Sequence, residues 1–165
     1  NEDRSALINE IEKIKLYTIN NKKIDDKNIL KLVNLNENHN ISELIDNCLL
    51  KNKKKTIKIL NDNNFNTDDC VLITKIFLNK SKRILELSKK YNKDKNINLT
   101  ISSARPPIFW KDKENIKQQV LNWTTKGLKE LLFEISEIEL LIKKNINNSV
   151  NILTNFIIEK TSTEN

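Results

Sequence analysis

The sequence predicts an all-α protein, a helical bundle, from three observations. The 165 residues include one glycine and two prolines, so the residue types that form hairpin turns are scarce. Apolar residues recur mostly at intervals of three and four, which is the spacing of one face of a helix. Hydrophobic residues make up 38% and charged residues 31% of the chain, which fits a globular protein with a modest core.

The N-terminal part predicts two helices. The first is expected over residues 5–19, where one apolar face is formed by Leu7, Ile8, Ile11 and Ile14. Asp25 or Asp26 is suited to cap the second helix by accepting a backbone N–H. The apolar face of this short helix consists of Ile29, Leu30, Leu32 and Val33.

A domain boundary is expected at residues 35–40, which are polar and poor in helix formers. Residues 1–36 then form one helical unit, residues 40–160 form a helical bundle, and residues 161–165 are a tail. The chain contains no methionine, so we expect it to be a piece of a longer protein.

The bundle is predicted to begin with a helical hairpin. One helix spans residues 41–51, a second spans 53–60, and the asparagine-rich stretch 61–66 forms a turn. Thr67 is the expected N-cap of a long helix that runs to Tyr91, because two aspartates follow it in the first turn. This helix is expected to be the spine of the bundle.

The segment after residue 100 contains two consecutive prolines. Pro106 and Pro107 remove two backbone donors and push Arg105 toward extended geometry, so a helix must end before them and a bend must follow. The bend brings together three apolar side chains, Ile108, Phe109 and Trp110.

Three further helices are predicted in the C-terminal part. The first covers residues 111–122 and ends near Trp123, and Thr124 or Thr125 caps the second. The second is amphipathic and has a wide apolar stripe of Leu128, Leu131, Leu132, Ile135, Ile138, Leu141 and Ile142. After a turn at residues 145–148, the last helix completes the bundle with Val150, Leu153, Ile157 and Ile158.

Catalytic chemistry is not expected on this chain. His39 is the only histidine and lies in the polar stretch, so no Ser-His-Asp or Cys-His arrangement can be formed from ordinary parts. Gly127 is the only glycine, which excludes a phosphate-binding loop. Cys48 and Cys70 are isolated, so we expect buried, unreactive thiols and no metal or other cofactor. No apolar run is long enough for a membrane helix and no signal peptide is recognisable, so the expected compartment is the cytoplasm.

The net charge of +7 allows two interpretations. Lysines and arginines bind nucleic-acid phosphates, and residues 51–55 are one candidate patch. The other patch consists of Lys80, Lys82, Arg83, Lys89, Lys90, Lys93 and Lys95. Alternatively, these cations solvate helix faces in a chain enriched in Lys, Asn and Ile by an AT-rich genome. Trp110 and Trp123 also have two interpretations, stacking on bases or packing in the core, and core packing is the commoner in an all-helical chain.

Several segments resemble the delta subunits of the bacterial DNA polymerase III clamp loader. Residues 10–17 are similar to that family's E-x-E-K-L-x-x-Y helix, and residues 24–29 to its I-T-x-E-D-V helix start. Residues 43–52, followed by residues 56–60, are similar to the first hairpin of its collar domain, although Lys51-Asn52 replaces the usual Gly-Asp of the turn. Residues 105–111 (RPPIFWK) resemble an R-P-P-x-F-F-K motif of alphaproteobacterial delta subunits.

This resemblance implies a non-catalytic assembly module. In the family, the helical collar domains of five subunits form a closed ring, which holds the complex together while other domains open the sliding clamp. Residues 1–36 would be the end of the lid domain and residues 40–160 the collar. The implied partners are the ATPase (gamma/tau) and delta-prime subunits, with the sliding clamp and primer-template DNA bound through the whole complex.

The resemblance also suggests which residues meet those partners. We expect Arg105, Pro106, Pro107, Phe109 and Trp110 to shape or contact a partner interface, or to fix the loop. Lys143 and Lys144 are the weaker candidates for positions near DNA. The alternative function is a stand-alone basic helical module that binds nucleic acid.

Overall fold

The computed structural model describes residues 35–162 and seven earlier positions, Ile8, Ile11, Glu12, Lys15, Leu16, Thr18 and Ile19; of residues 35–39 it describes only the backbone. The chain divides into two compact units, Asn1–Asn40 and Ile41–Asn165. All described residues of the first unit are helical, as predicted for residues 5–19. The second predicted helix, around residues 25–33, lies outside the described residues.

The predicted burial of Ile8 and Ile11 is wrong, because both side chains are exposed, as are those of Leu16 and Ile19. The Thr18 hydroxyl donates to the carbonyl of Lys15 at 2.8 Å, which is a local helical bond.

The prediction of an all-α fold is confirmed for the part of the chain that the structure describes, where helices are present and strands are not. Seven helices occupy residues 35–162: α1 Leu35–Leu49, α2 Lys53–Asp62, α3 Thr67–Asp94, α4 Ile97–Ser102, α5 Lys113–Asn122, α6 Thr125–Lys144 and α7 Ser149–Ser162. A short 3₁₀ turn, Ile146–Asn148, lies between the last two. Helix α1 begins six residues earlier than predicted, and α4 was not predicted at all.

Helix α3 is the spine of the bundle and packs against α4, α5, α6 and α7. Its partner α6 runs antiparallel to it, because Ser88 and Asn92 near the end of α3 bond to Thr125 at the start of α6. The buried small residues Thr74 and Ser81 precede Ser88 at intervals of seven on α3. Small side chains at this spacing let two helix backbones approach closely.

The helix ends are fixed mainly by asparagine. Asn52, Asn66 and Asn96 are the N-caps of α2, α3 and α4, and each side chain accepts a backbone N–H of the first turn. The predicted N-cap Thr67 is wrong by one residue, because Asn66 and Asp69 form a capping box. The carboxylate of Asp69 accepts the backbone N–H of Asn66 at 2.8 Å, which completes the box.

Two lysines adopt left-handed backbone conformations. Lys51, between α1 and α2, has a φ of 57°, and Lys95, which ends α3, has a φ of 52°. This region favours glycine because a Cβ atom crowds the backbone there. The only glycine, Gly127, is elsewhere, within α6.

The core is centred on α1, whose residues Ile41, Leu44, Ile45, Cys48 and Leu49 are completely buried. The indole N–H of Trp123 donates to the carbonyl of Leu49 at 2.8 Å, which joins the end of α5 to α1. Cys48 contacts α7, with its Sγ atom 3.7 Å from the carbonyl oxygen of Ile157. The helix predicted over residues 41–51 therefore contributes more completely buried side chains to the core than any other described helix.

Candidate partner-binding surface

The most unusual surface feature is the loop that joins α4 to α5, which we call the aromatic loop (residues 103–112). Its backbone is attached to the bundle by two buried apolar side chains, Ala104 and Ile108. Between them, Arg105, Pro106 and Pro107 are exposed, and the Arg105–Pro106 peptide bond is cis. The two prolines lack backbone N–H groups, so the loop cannot stabilise itself by a regular hydrogen-bond pattern.

Two basic side chains of α3 form hydrogen bonds that hold the loop. The guanidinium of Arg83 donates to the carbonyl of Pro106 at 2.8 Å. The ammonium of Lys90 donates to the hydroxyl of Ser103 at 2.6 Å. Positions 83 and 90 are seven residues apart and so lie on one side of α3, facing the loop.

Two aromatic side chains at the end of the loop face water. Phe109 is 58% exposed and Trp110 is 67% exposed. Their ring centroids are 5.7 Å apart at an interplanar angle of 48°, and the ammonium of Lys111 is 5.3 Å from the centre of the Trp110 ring. The core interpretation is thus confirmed for the buried Trp123 and wrong for Trp110.

A cavity of about 270 Å³ lies beside the aromatic loop. One side of the cavity is lined by polar side chains that bond to one another. Lys80 donates to Asp46 at 2.6 Å and to the Ser42 hydroxyl at 2.7 Å. The side-chain amide of the buried Gln119 donates to the carbonyl of Asp46 at 3.2 Å. The remaining lining residues are Arg83, Ile84, Asp112, Asn115 and Ile116.

Sequence reasoning did not find this network, since Asp46 is 34 residues from Lys80 and 73 from Gln119. No local pattern links such distant positions. Because its donors and acceptors bond to one another, the network ties α1 to α3 and α5.

The basic cluster predicted on α3 is divided between two roles. Lys80, Arg83 and Lys90 are engaged within the bundle, whereas the exposed members are Lys82, Lys89, Lys93 and Lys95. In the other predicted patch, the ammonium of Lys51 is 4.8 Å from the centre of the Trp123 ring. Part of the positive charge that suggests nucleic-acid binding is therefore used to hold the fold together.

Lys143 and Lys144 are exposed at the C-terminal end of α6. Lys143 is paired with Glu139 at 2.6 Å, and Lys144 lines a shallow depression beside the 3₁₀ turn. The aromatic loop is attached to the later part of α3, near the start of α6. The structure therefore does not bring these lysines together with the loop residues.

A second exposed apolar strip lies on α6. Phe133 is 68% exposed, and Leu140 and Leu141 follow it at the same face seven and eight residues later. The prediction that Leu141 belongs to the buried stripe is wrong. Leu141 lies at the edge of the apolar face, next to Ile142, which is buried.

The pKa values of three ionisable groups in the described part of the chain are shifted. Burial raises the pKa of Cys48 to about 12 and also raises the pKa of Cys70, so both thiols stay protonated. For Lys160, burial acts to lower the pKa, but the carboxylates of Glu134 and Glu159 outweigh it and the pKa is raised. No group of three His, Cys, Asp or Glu among the described residues is suited to hold a metal ion.

None of the described helices has the length and apolar character that crossing a membrane requires. Comparison with protein-family models, curated proteins and solved structures finds no match for this chain.

Proposed function

We propose that this chain is a non-catalytic assembly module, the C-terminal helical region of a clamp-loader delta subunit, which acts in the cytoplasm during DNA replication. The single observation that carries the proposal is the exposure of Phe109 and Trp110 on a loop fixed to the bundle. Adjacent exposed aromatic side chains mark protein–protein contact sites, where they supply much of the binding energy. The resemblance names the neighbours as the ATPase (gamma/tau) and delta-prime subunits.

The turn between α1 and α2 gives independent support to the resemblance. Delta subunits usually have Gly-Asp where this chain has Lys51-Asn52. Lys51 has a φ of 57°, which glycine adopts without strain, and Asn52 caps α2 by accepting the N–H of Lys55 at 3.2 Å. Aspartate performs the same capping role, so this turn has the backbone that a Gly-Asp pair would suit.

Nucleic-acid binding by a stand-alone module is the second candidate. It is favoured by the exposed lysines Lys82, Lys89 and Lys93, which lie on one face of α3. A complex that depends on phosphates loses affinity steeply as salt rises, whereas apolar packing depends much less on salt. Binding of a labelled oligonucleotide at low and moderate salt therefore separates the two candidates.

Native mass spectrometry of this chain with the ATPase and delta-prime subunits of the same organism tests the proposal. We expect a hetero-oligomer at moderate salt. Trp110→Ala is expected to weaken it by at least about tenfold, as loss of an anchoring aromatic side chain does. Arg105→Ala is expected to weaken it less, because an exposed arginine at the rim of an interface contributes less.

Phe133→Ala is the matched control, because Phe133 is an equally exposed aromatic residue on another element. Absence of the hetero-oligomer, together with tight, salt-sensitive binding of the oligonucleotide, would overturn the proposal in favour of the nucleic-acid module.

A further inference from the structure

The aromatic loop is held at four points within six residues. Lys90 bonds to Ser103, Arg83 bonds to the carbonyl of Pro106, and the side chains of Ala104 and Ile108 are buried. Each point restrains the backbone just before the two exposed aromatic rings. The loop therefore has its shape before any partner arrives, and binding does not have to order it.

Basic residues flank the aromatic pair on both sides, and the acidic residue of the loop, Asp112, lies at its end. Arg105 precedes the pair, Lys111 follows it, and both are exposed. Neither forms an ion pair with any residue in the described ranges. A partner surface that complements this loop is apolar where it meets the rings and carries carboxylates at its rim.

We propose that Arg83 and Lys90 are positioning residues that preset the aromatic loop as a plug, and that the plug enters an apolar, acid-rimmed pocket on a neighbouring subunit. The proposal rests on the proposed function, because it names the chemistry of the surface to which the module would bind. It also gives two of the basic residues of α3 a role in protein assembly.

Positioning is tested with Arg83→Ala and Lys90→Ala in the 165-residue chain. Lys82→Ala and Lys89→Ala are the controls, since they remove the same charge from exposed positions of the same helix. We expect the two positioning variants to bind the neighbouring subunits about 5-fold to 30-fold more weakly, because binding must then order the loop. The controls are expected to bind like the wild type.

The fluorescence of Trp110 provides a second measurement, which distinguishes a mobile loop from a general loss of stability. In a Trp123→Phe background, the fluorescence anisotropy of Trp110 reports the motion of the loop. We expect lower anisotropy in the Arg83→Ala variant, with unchanged helical circular dichroism, and partial recovery in Arg83→Lys. Unchanged anisotropy and affinity, or equal losses in the two control variants, would overturn the positioning role.

The acidic rim is tested by the charge reversals Arg105→Glu and Lys111→Glu, with Lys129→Glu on α6 as the control. We expect association to slow by about tenfold or more at low salt, with the difference shrinking at high salt. If the wild type assembles and the reversals have no effect, the acid-rimmed pocket is wrong while the assembly function stands. If the wild type does not associate with these subunits, both proposals fail.

Discussion

The two tryptophans occupy opposite environments. Trp123 is 6% exposed and bonds to the carbonyl of Leu49, which is 74 residues away. Trp110 is 67% exposed and contacts its neighbours Phe109 and Lys111. Trp110 follows two apolar residues in the aromatic loop, and Trp123 stands between two polar residues at the end of α5, so their sequence neighbours do not indicate which of them is buried. The difference depends on a distant carbonyl that only one of them reaches.

The Trp123 bond gives the first prediction. Trp123→Phe keeps an aromatic ring but leaves the buried carbonyl of Leu49 without its donor, so we expect the free energy of unfolding to fall by about 1–3 kcal/mol. Trp110→Phe is the control and is expected to change it by less than about 0.5 kcal/mol. Urea denaturation followed by circular dichroism measures both. Similar losses in the two variants would mean that the burial of Trp123 has no energetic consequence.

The buried thiol of Cys48 predicts a pH dependence of stability. Its pKa is raised to about 12 in the folded protein and is about 8.5 in an unfolded chain. Between these values the unfolded chain loses a proton that the folded chain keeps, so this thiol makes stability fall as pH rises. The loss amounts to about 2 kcal/mol between pH 8 and pH 10.

Urea midpoints of the wild type and Cys48→Ala at pH 8 and pH 10 measure this contribution. The variant is expected to lose about 2 kcal/mol less than the wild type over that interval. Contributions from lysines, tyrosines and Cys70 are common to both proteins and cancel. Parallel losses would show that the Cys48 thiol titrates in the folded state as it does in water.

At the scale of single helices, sequence predicted most of the observed elements. Apolar periodicity and capping residues are local signals, and they located α2, α3, α5, α6 and α7 to within a few residues. Helix α4 was missed because its six residues are too few to show a period. The start of α1 was missed because residues 35–40 are polar and have weak helix propensity.

The α3–α6 contact predicts opposite effects for two serines of α3. The Ser81 hydroxyl is buried without a hydrogen-bond partner, so Ser81→Ala is expected to raise the free energy of unfolding by about 1 kcal/mol. The Ser88 hydroxyl is 3.0 Å from that of Thr125, so Ser88→Ala is expected to lower it by about 0.5–1 kcal/mol. Thermal denaturation of both variants checks the signs. Destabilisation by Ser81→Ala would indicate that its hydroxyl has a partner in solution.

At the scale of the whole molecule, sequence predicted the fold class but not the roles of its charges. The basic residues between Lys80 and Lys95 form one cluster in the sequence, yet Lys80, Arg83 and Lys90 bond within the bundle and hold α1 and the aromatic loop. Their acceptors include backbone carbonyls, which every residue has, so no residue type identifies them in advance. These three cations contribute to the net charge of +7, but their hydrogen bonds within the bundle make them less available to a partner.

The sequence indicated which residues belong to the candidate surface, but not which of their side chains are exposed. Two prolines followed by aromatic residues indicated a bend with apolar side chains, and Phe109 and Trp110 were proposed for a partner interface. In the structure Ile108 is buried, whereas Phe109 and Trp110 beside it are exposed. Which of the three faces inward depends on the space left by the surrounding helices.

The lysines at positions 51 and 95, which have left-handed backbone conformations, are positions where a substitution can raise the stability of the protein. Lys95→Gly relieves the crowding at the end of α3 and is expected to raise the free energy of unfolding by about 0.5–1 kcal/mol. Lys93→Gly, placed inside the last turn of the same helix, is expected to lower it by up to about 1 kcal/mol. Chemical denaturation measures both, and a loss in each variant would contradict the assigned backbone at position 95.

Position 51 offers a second improvement, although Lys51 also lies over the ring of Trp123, so the gain from Lys51→Gly is expected to be smaller. Neither position is in the apolar core or in the aromatic loop. Glycine substitutions at these two turns are therefore expected to raise the thermal stability of the protein without changing the surfaces proposed for assembly.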